Sequence, residues 1–200
     1  PTITTTFELA DASVKEDDVE VVVTGKQFWW EFYYPDLGIV TANELHIPTG
    51  KKIHLQLEAT DVIHSFWVPK LGGKTDTIPG RTNYMWLQAD EPGVYSGQCA
   101  EYCGASHALM AFEVVAHEEG GFDDWVAQMT QPPSEGMSEL AQEGEEIFSQ
   151  SCASCHAVEA TPDTKDMQGP NLANFGNRNK LAAAILDNDR ESLKDWIMNP

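Results

Sequence analysis

Basic residues are scarce in this chain: 12 Lys and Arg stand against 32 Asp and Glu, a formal charge of −20 over 200 residues. That deficit excludes non-specific nucleic-acid binding, which needs a basic face. An acidic surface keeps a protein soluble and speeds its encounter with basic protein partners. No apolar run approaches the roughly 20 residues needed to span a bilayer. The longest clean run, Leu181–Leu186, is long enough for one short helix only. No signal peptide is recognisable and the chain starts at Pro1, so a processed or shortened form is expected. There are only four cysteines, and two motifs claim all of them. None is left for a structural disulfide, so cysteine count does not fix the compartment.

What is present is concentrated in one stretch, Gln98–Met110, which reads QCAEYCGASHALM. Cys99 and Cys103 are four apart, His107 is four further on, and Met110 three beyond that. Thiolate, imidazole and thioether are soft ligands that select copper over hard ions. A zinc site and a local disulfide are the competing readings, but structural zinc usually pairs two Cys-x-x-Cys hooks. Here only one hook is free. Gly93, Gly97 and Gly104 let the backbone fold tightly around it. His64, in DVIHSFWVP, supplies a second imidazole. A single cysteine with two histidines and a weak methionine would suit one copper. The second cysteine argues for two, with thiolates shared between them.

Short segments of alternating or β-branched residues surround this loop. Strands are expected over 19–24, 27–34, 43–47, 53–58, 81–87 and 93–98, and again over 110–115 with Met110, Phe112 and Val114 on the apolar face. Frequent Gly and Pro between them indicate an antiparallel sandwich or barrel. His46 and His54 fall at polar, outward positions and receive no role. A helix over 121–130 closes this unit. Residues 131–138, with Pro132 and Pro133, read as a linker.

The motif in the second unit is different. Ser151–His156 reads SCASCH, and Cys-x-x-Cys-His is the attachment motif for c-type haem. Cys152 and Cys155 would bond the haem covalently and His156 would bind iron. A thioredoxin-like redox pair would need a βαβ setting, whereas this motif follows an amphipathic helix. That helix is expected to pack against a closing helix over 190–198, which presents Leu193, Trp196 and Ile197.

QFWWEFYYPD, DVIHSFWVP, KTDTIPGR and CAEYCGASHALM, in that order, resemble subunit II of a haem–copper cytochrome oxidase. The likeness covers roughly residues 19–130. It implies a Greek-key, cupredoxin-like fold for residues 1–130, with its core at 18–116. It also implies a binuclear copper A centre. Cys99 and Cys103 would bridge the two coppers, and His64 and His107 would bind one each. Met110 and the Glu101 carbonyl would be the weaker axial ligands. The Glu101 side chain would reach toward a magnesium ion at the border with the catalytic subunit. Lys74, Asp76 and Arg81 would contact that subunit. An aromatic near Phe28, Trp29 and Trp30 would receive electrons; the position usually held by Trp is Phe28 here.

Residues 139–200 resemble a small all-α class I cytochrome c fused to the oxidase subunit, as in caa-type oxidases. Pro170, in GPNL, would accept a hydrogen bond from His156. The family's methionine ligand to iron is expected beyond Pro200; Met167 lies too early and Met198 sits on the closing helix. The implied function is electron transfer. A donor cytochrome or quinol-oxidising complex feeds the haem, copper A follows, and the catalytic subunit I, with other oxidase subunits, reduces oxygen to water and pumps protons. The implied location is the outer face of the bacterial cell membrane, held by an N-terminal helical hairpin that this chain lacks. A copper A relay in a nitric-oxide or nitrous-oxide reductase, and a copper-binding chaperone, are the alternatives.

Overall fold

The computed structural model describes residues 18–131 and 137–199, with residues 3, 6 and 7. Most of the linker expected at 131–138 lies outside the described residues.

Ten strands form two five-stranded sheets. The first holds β3 (Ile39–Ala42), β2 (Trp29–Tyr34), β1 (Val19–Lys26), β5 (Ile53–Ala59) and β8 (Asn83–Leu87). The second holds β4 (Glu44–Pro48), β10 (Ala111–His117), β9 (Gly93–Cys99), β6 (His64–Trp67) and β7 (Thr75–Thr77). The short strands β3, β6 and β7 went unread in the sequence.

Two-residue alternation explains the packing. On β1, Val21 and Val23 point inward, and on β2 Trp30, Phe32 and Tyr34 do the same, all essentially solvent-free. Phe66 of β6 and Phe112 of β10 meet them from the second sheet, their rings stacked at 4.5 Å. Trp30 sits edge-on to both at 5.5 Å. The Tyr34 hydroxyl ties the sheets together, donating to the His46 carbonyl at 2.8 Å and accepting from its N–H at 2.9 Å. Phe112 lies flat over Gly97, where a Cβ would fall 2.3 Å from the ring. Gly97→Ala therefore overpacks the core and should cost about 2 kcal/mol. A urea midpoint unchanged from wild type would refute that.

Helix α1 (Gly121–Thr130) presses Trp125 and Met129 onto the sandwich. Here the structure corrects the reading of His46 as exposed. Its ring stacks on Trp125 at 4.5 Å, and its Nδ1 lies 2.8 Å from His117 Nε2. His54 is also buried, with Nε2 2.9 Å from Asp18. Burial, with His46 beside it, lowers the His117 pKa to about 4. The unfolded chain takes up this proton near pH 6.5, well before the folded one. Stability should therefore fall as pH drops from about 6.5 toward 4. His117→Gln should flatten that slope in denaturation curves taken across the window.

The C-terminal part carries α2 (Glu139–Ser151), α3 (Arg190–Met198) and a two-stranded ribbon of β11 (Lys180–Leu181) and β12 (Leu186–Asp187). The ribbon is an addition to the all-α expectation. It also overturns the short helix expected over Leu181–Leu186. Ala182, Ala183 and Ala184 all take positive φ, and the Ile185 N–H bonds to the Leu181 carbonyl. So short a run cannot nucleate a helix by propensity alone, and strand pairing on either side decides its shape. Nor do the two helices bury their apolar faces on one another: neither contains a buried residue, and Leu140, Ile147, Ile197 and Met198 are exposed.

Instead, residues 160–180 lie across the β3 and β4 edges of the sandwich. The Val40 N–H donates to the Ala160 carbonyl at 3.0 Å. Glu31, which alternation points outward from β2, accepts from Lys26 Nζ at 2.9 Å and from the Asp166 N–H at 3.1 Å. The Arg178 guanidinium donates to the carbonyls of Ala42, Asn171 and Ala173 and to Thr41 Oγ1. This cover shields edge strands that would otherwise present unpaired backbone groups.

Candidate metal centre

Three segments converge at one end of the sandwich: the start of β6, the loop after β9 and the turn before β10. The short distances are centred on the two cysteine sulfurs. Cys99 Sγ is 3.8 Å from Cys103 Sγ and 4.0 Å from His64 Nδ1. Cys103 Sγ is 3.6 Å from His107 Nδ1 and 3.8 Å from Met110 Sδ. The Glu101 carbonyl lies 3.3 Å from Cys99 Sγ. Among the described residues, His64, Cys99 and Cys103 are the group of His, Cys and acidic side chains close enough together to hold a metal ion.

The sulfur–sulfur separation excludes the disulfide among the earlier alternatives. It is far longer than a disulfide bond of about 2.0 Å. It is shorter than twice a metal–thiolate bond of about 2.3 Å. Two thiols so spaced fit shared metal coordination. Burial raises both thiol pKa values. At Cys99 the bond to His64 and nearby backbone groups more than offset this, leaving it at about 6. Cys103, buried beside that charge, is pushed up to about 12.

Supporting contacts fix the imidazole. Asp61 Oδ1 accepts from His64 Nε2 at 2.8 Å, which turns Nδ1 toward the sulfurs. Asp61 Oδ2 also accepts the Gln27 N–H at 2.6 Å, and Gln27 Nε2 donates to the Cys103 carbonyl at 2.6 Å. Trp30 backs the His64 ring at 5.9 Å. A carboxylate behind a ligand histidine is a common orienting device. The sequence reading missed Asp61 and Gln27, although Asp61 stands only three residues before His64.

The three candidate electron-accepting aromatics separate. Trp29 and Trp30 are buried, 6% and 0% exposed, so neither offers a surface. Phe28 is partly exposed, and its ring comes within 3.1 Å of where a Gly104 Cβ would lie. The Glu101 side chain is exposed. Lys74 Nζ approaches the Ala100 carbonyl at 3.5 Å, and Asp76 and Arg81 belong to the adjoining β7 turn.

At the second motif, Cys152 and Cys155 are free and half-buried. His156 Nδ1 donates to the Pro170 carbonyl at 2.7 Å, leaving Nε2 available to iron. A Cβ on Gly169 would meet the His156 ring at 2.6 Å, so only glycine fits there. Ile147 and Val158 are exposed and Trp196 is half-exposed. The donor set, with His156 held by the Pro170 carbonyl over Gly169, fits a c-type haem. Met167 offers its carbonyl to Lys26, and Met198 is 67% exposed.

These features define the class: a cupredoxin-like copper domain joined to a cytochrome c module. Residues 38–117 match the family described as cytochrome c oxidase subunit II, periplasmic domain, and residues 141–197 match cytochrome c. Over its whole length the chain is 47% identical to cytochrome c oxidase subunit 2 of Alkalihalophilus pseudofirmus, covering 59% of that protein. It is 44% identical to the subunit 2 of Bacillus sp. PS3, covering 60%. The chain thus spans about 60% of these curated relatives. The solved periplasmic domain of subunit II (CoxB) of Bradyrhizobium japonicum superposes with a TM-score of 0.55 at 36% identity, over 57% of this chain and 95% of that one. This chain belongs to the cytochrome c oxidase subunit II family, and its two domains imply copper and haem. Among the described residues no helix is long and apolar enough to cross a membrane.

Proposed function

We propose that this chain is the electron-transfer subunit of a respiratory haem–copper oxidase. It takes electrons from a donor cytochrome or quinol-oxidising complex and delivers them to subunit I, where oxygen is reduced to water with proton pumping. The observation that carries this is the gathering of two thiols, two imidazoles and a thioether at one end of the sandwich, in a chain whose C-terminal part bears a covalent-haem motif. When bound, binuclear copper A and the c-type haem supply reversible one-electron transfer.

The residues divide the work. Cys99, Cys103, His64 and His107 would hold the copper pair, and Met110 and the Glu101 carbonyl would complete the site. Asp61 orients His64, and Gln27 pins the loop at Cys103. Burial of Cys99, Cys103 and Met110 excludes water from the sulfurs. The exposed Glu101 carboxylate is available to a magnesium ion at the border with subunit I, beside the Lys74–Arg81 segment. Phe28, against the loop and reachable from outside, is the best candidate to receive electrons from a separate donor. Cys152 and Cys155 attach the haem and His156 binds its iron. We place residues 1–130 in the copper domain and 139–200 in the cytochrome domain, on the outer face of the bacterial membrane.

Metal and haem content of the purified protein tests this reading. Two coppers and one covalent haem per chain are expected. Zinc, or a single copper, would overturn it.

A further inference from the structure

The C-terminal part is held to the sandwich by buried carboxylates, and two of them stand side by side. Glu113 of β10 pairs in register with Glu44 of the parallel strand β4. They are 8% and 3% exposed. Both reach the same turn. Glu44 Oε1 accepts the Asn179 N–H at 2.7 Å and the Lys180 N–H at 3.4 Å, while Glu113 Oε2 accepts from the Asn179 side-chain amide at 3.4 Å.

Two neighbouring carboxylates out of water repel, and holding one proton between them removes the conflict. The charged groups around them come from several elements. Arg178 acts on Glu44 from the C-terminal part, and Lys180 and Asp187 of the ribbon act on Glu113. Within the sandwich, His46 Nε2 lies 3.4 Å from Glu44 Oε2, and His46 Nδ1 meets His117. These contacts make a continuous hydrogen-bonded path from the pair to the partly exposed His117.

We propose that Glu113, buried beside Glu44, keeps a proton while the two side chains dock the Asn179–Lys180 turn, so that attachment of the C-terminal part to the sandwich depends on pH. Burial, with the charge of Glu44 adding to it, raises the pKa of Glu113. Undocking rehydrates Glu113 and returns it toward its ordinary value, so the docked form binds more protons. Docking is strongest in acid and is lost as pH rises through the raised pKa. Between the ordinary carboxylate range and that raised pKa each pH unit weakens docking about tenfold, the slope of one proton, and above it docking no longer changes with pH. His46 and His117 have lowered pKa values and stay neutral above about pH 6.5. Below that they act with the opposite sign, so the difference between wild type and Glu113→Gln, which keeps both histidines, isolates the Glu113 contribution. On the relay reading above, on which this consequence rests, acidity at the outer face then sets how firmly the cytochrome module sits beside the metal loop.

Small-angle X-ray scattering of the full chain from pH 4.5 to 8 reads docking directly, with circular dichroism checking that both parts stay folded. The wild-type radius of gyration should grow with pH. Glu113→Gln, which mimics the neutral carboxyl, should stay compact throughout, and Asn179→Ala should be expanded already at the lower end. A wild-type radius that does not change, or a Glu113→Gln curve that follows wild type, would overturn the proposal. Copper and haem content on the same samples decides the relay reading separately.

Discussion

Cys103→Ser should leave the chain folded but unable to hold two coppers. The side chain is small and buried, and a hydroxyl nearly matches the thiol in size, so the sandwich should tolerate it. A serine oxygen is a hard donor that does not replace a bridging thiolate. Cys103 lies within 4 Å of the sulfurs of Cys99 and Met110 and of the His107 ring, so its loss removes the common neighbour of three donors. Altering a group behind a metal ligand typically costs 10–100-fold in affinity. Loss of the shared ligand itself should cost at least about 100-fold on that scale. Copper content should fall to one per chain or below, and the EPR spectrum should change from a delocalised pair to a single cupric ion. Retention of two coppers with an unchanged spectrum would show that Cys103 does not bridge.

This site was largely legible in the sequence because its donors are close together along the chain. Four of them lie between Cys99 and Met110, and soft ligands at that spacing have few other uses. His64 is distant, but its aromatic and proline neighbours marked it out. The contacts behind the site were harder to see. Gln27 reaches the Cys103 carbonyl across 76 residues, and nothing local in its sequence marks it.

The same distance hid the seam between the two parts of the chain. Glu31 meets Asp166, and Glu44 meets Asn179, each across 135 residues. Strand alternation alone would point Glu31 and Glu113 away from the core, and both do point away from it. They are buried because a second layer of chain covers that face, which periodicity does not report. His46 was misjudged for a related reason: α1 brings Trp125 over it. The run Leu181–Leu186 misled in the opposite sense, because alanine's helix preference is weak beside strand pairing on both flanks.

Arg178 offers the sharpest test of that seam. Its guanidinium reaches three carbonyls and one hydroxyl, at distances from 2.8 to 3.4 Å, on both sides of the boundary. Enclosure lowers its pKa to about 10, with Glu44 opposing the shift, so it remains a cation at neutral pH. Arg178→Met keeps much of the aliphatic volume but deletes every donor. The carbonyls of Ala42, Asn171 and Ala173 lose these bonds, and Glu44 loses a compensating charge. Bonds to a charged group are worth about 1.5–3 kcal/mol each, and solvent replaces some of them at a half-buried site. A net loss of about 3 kcal/mol is expected, carried by the C-terminal part. Arg178→Lys should recover only a fraction, since one ammonium cannot span four acceptors arranged for a planar fork. Urea denaturation followed at the haem band and at the copper band separates the two parts. The haem transition should move to lower urea in Arg178→Met while the copper transition moves little. Equal shifts in both bands would mean that the chain unfolds as one unit. No shift in either would mean that water satisfies those carbonyls as well as the guanidinium does, and that the cytochrome module is held by its apolar contacts alone.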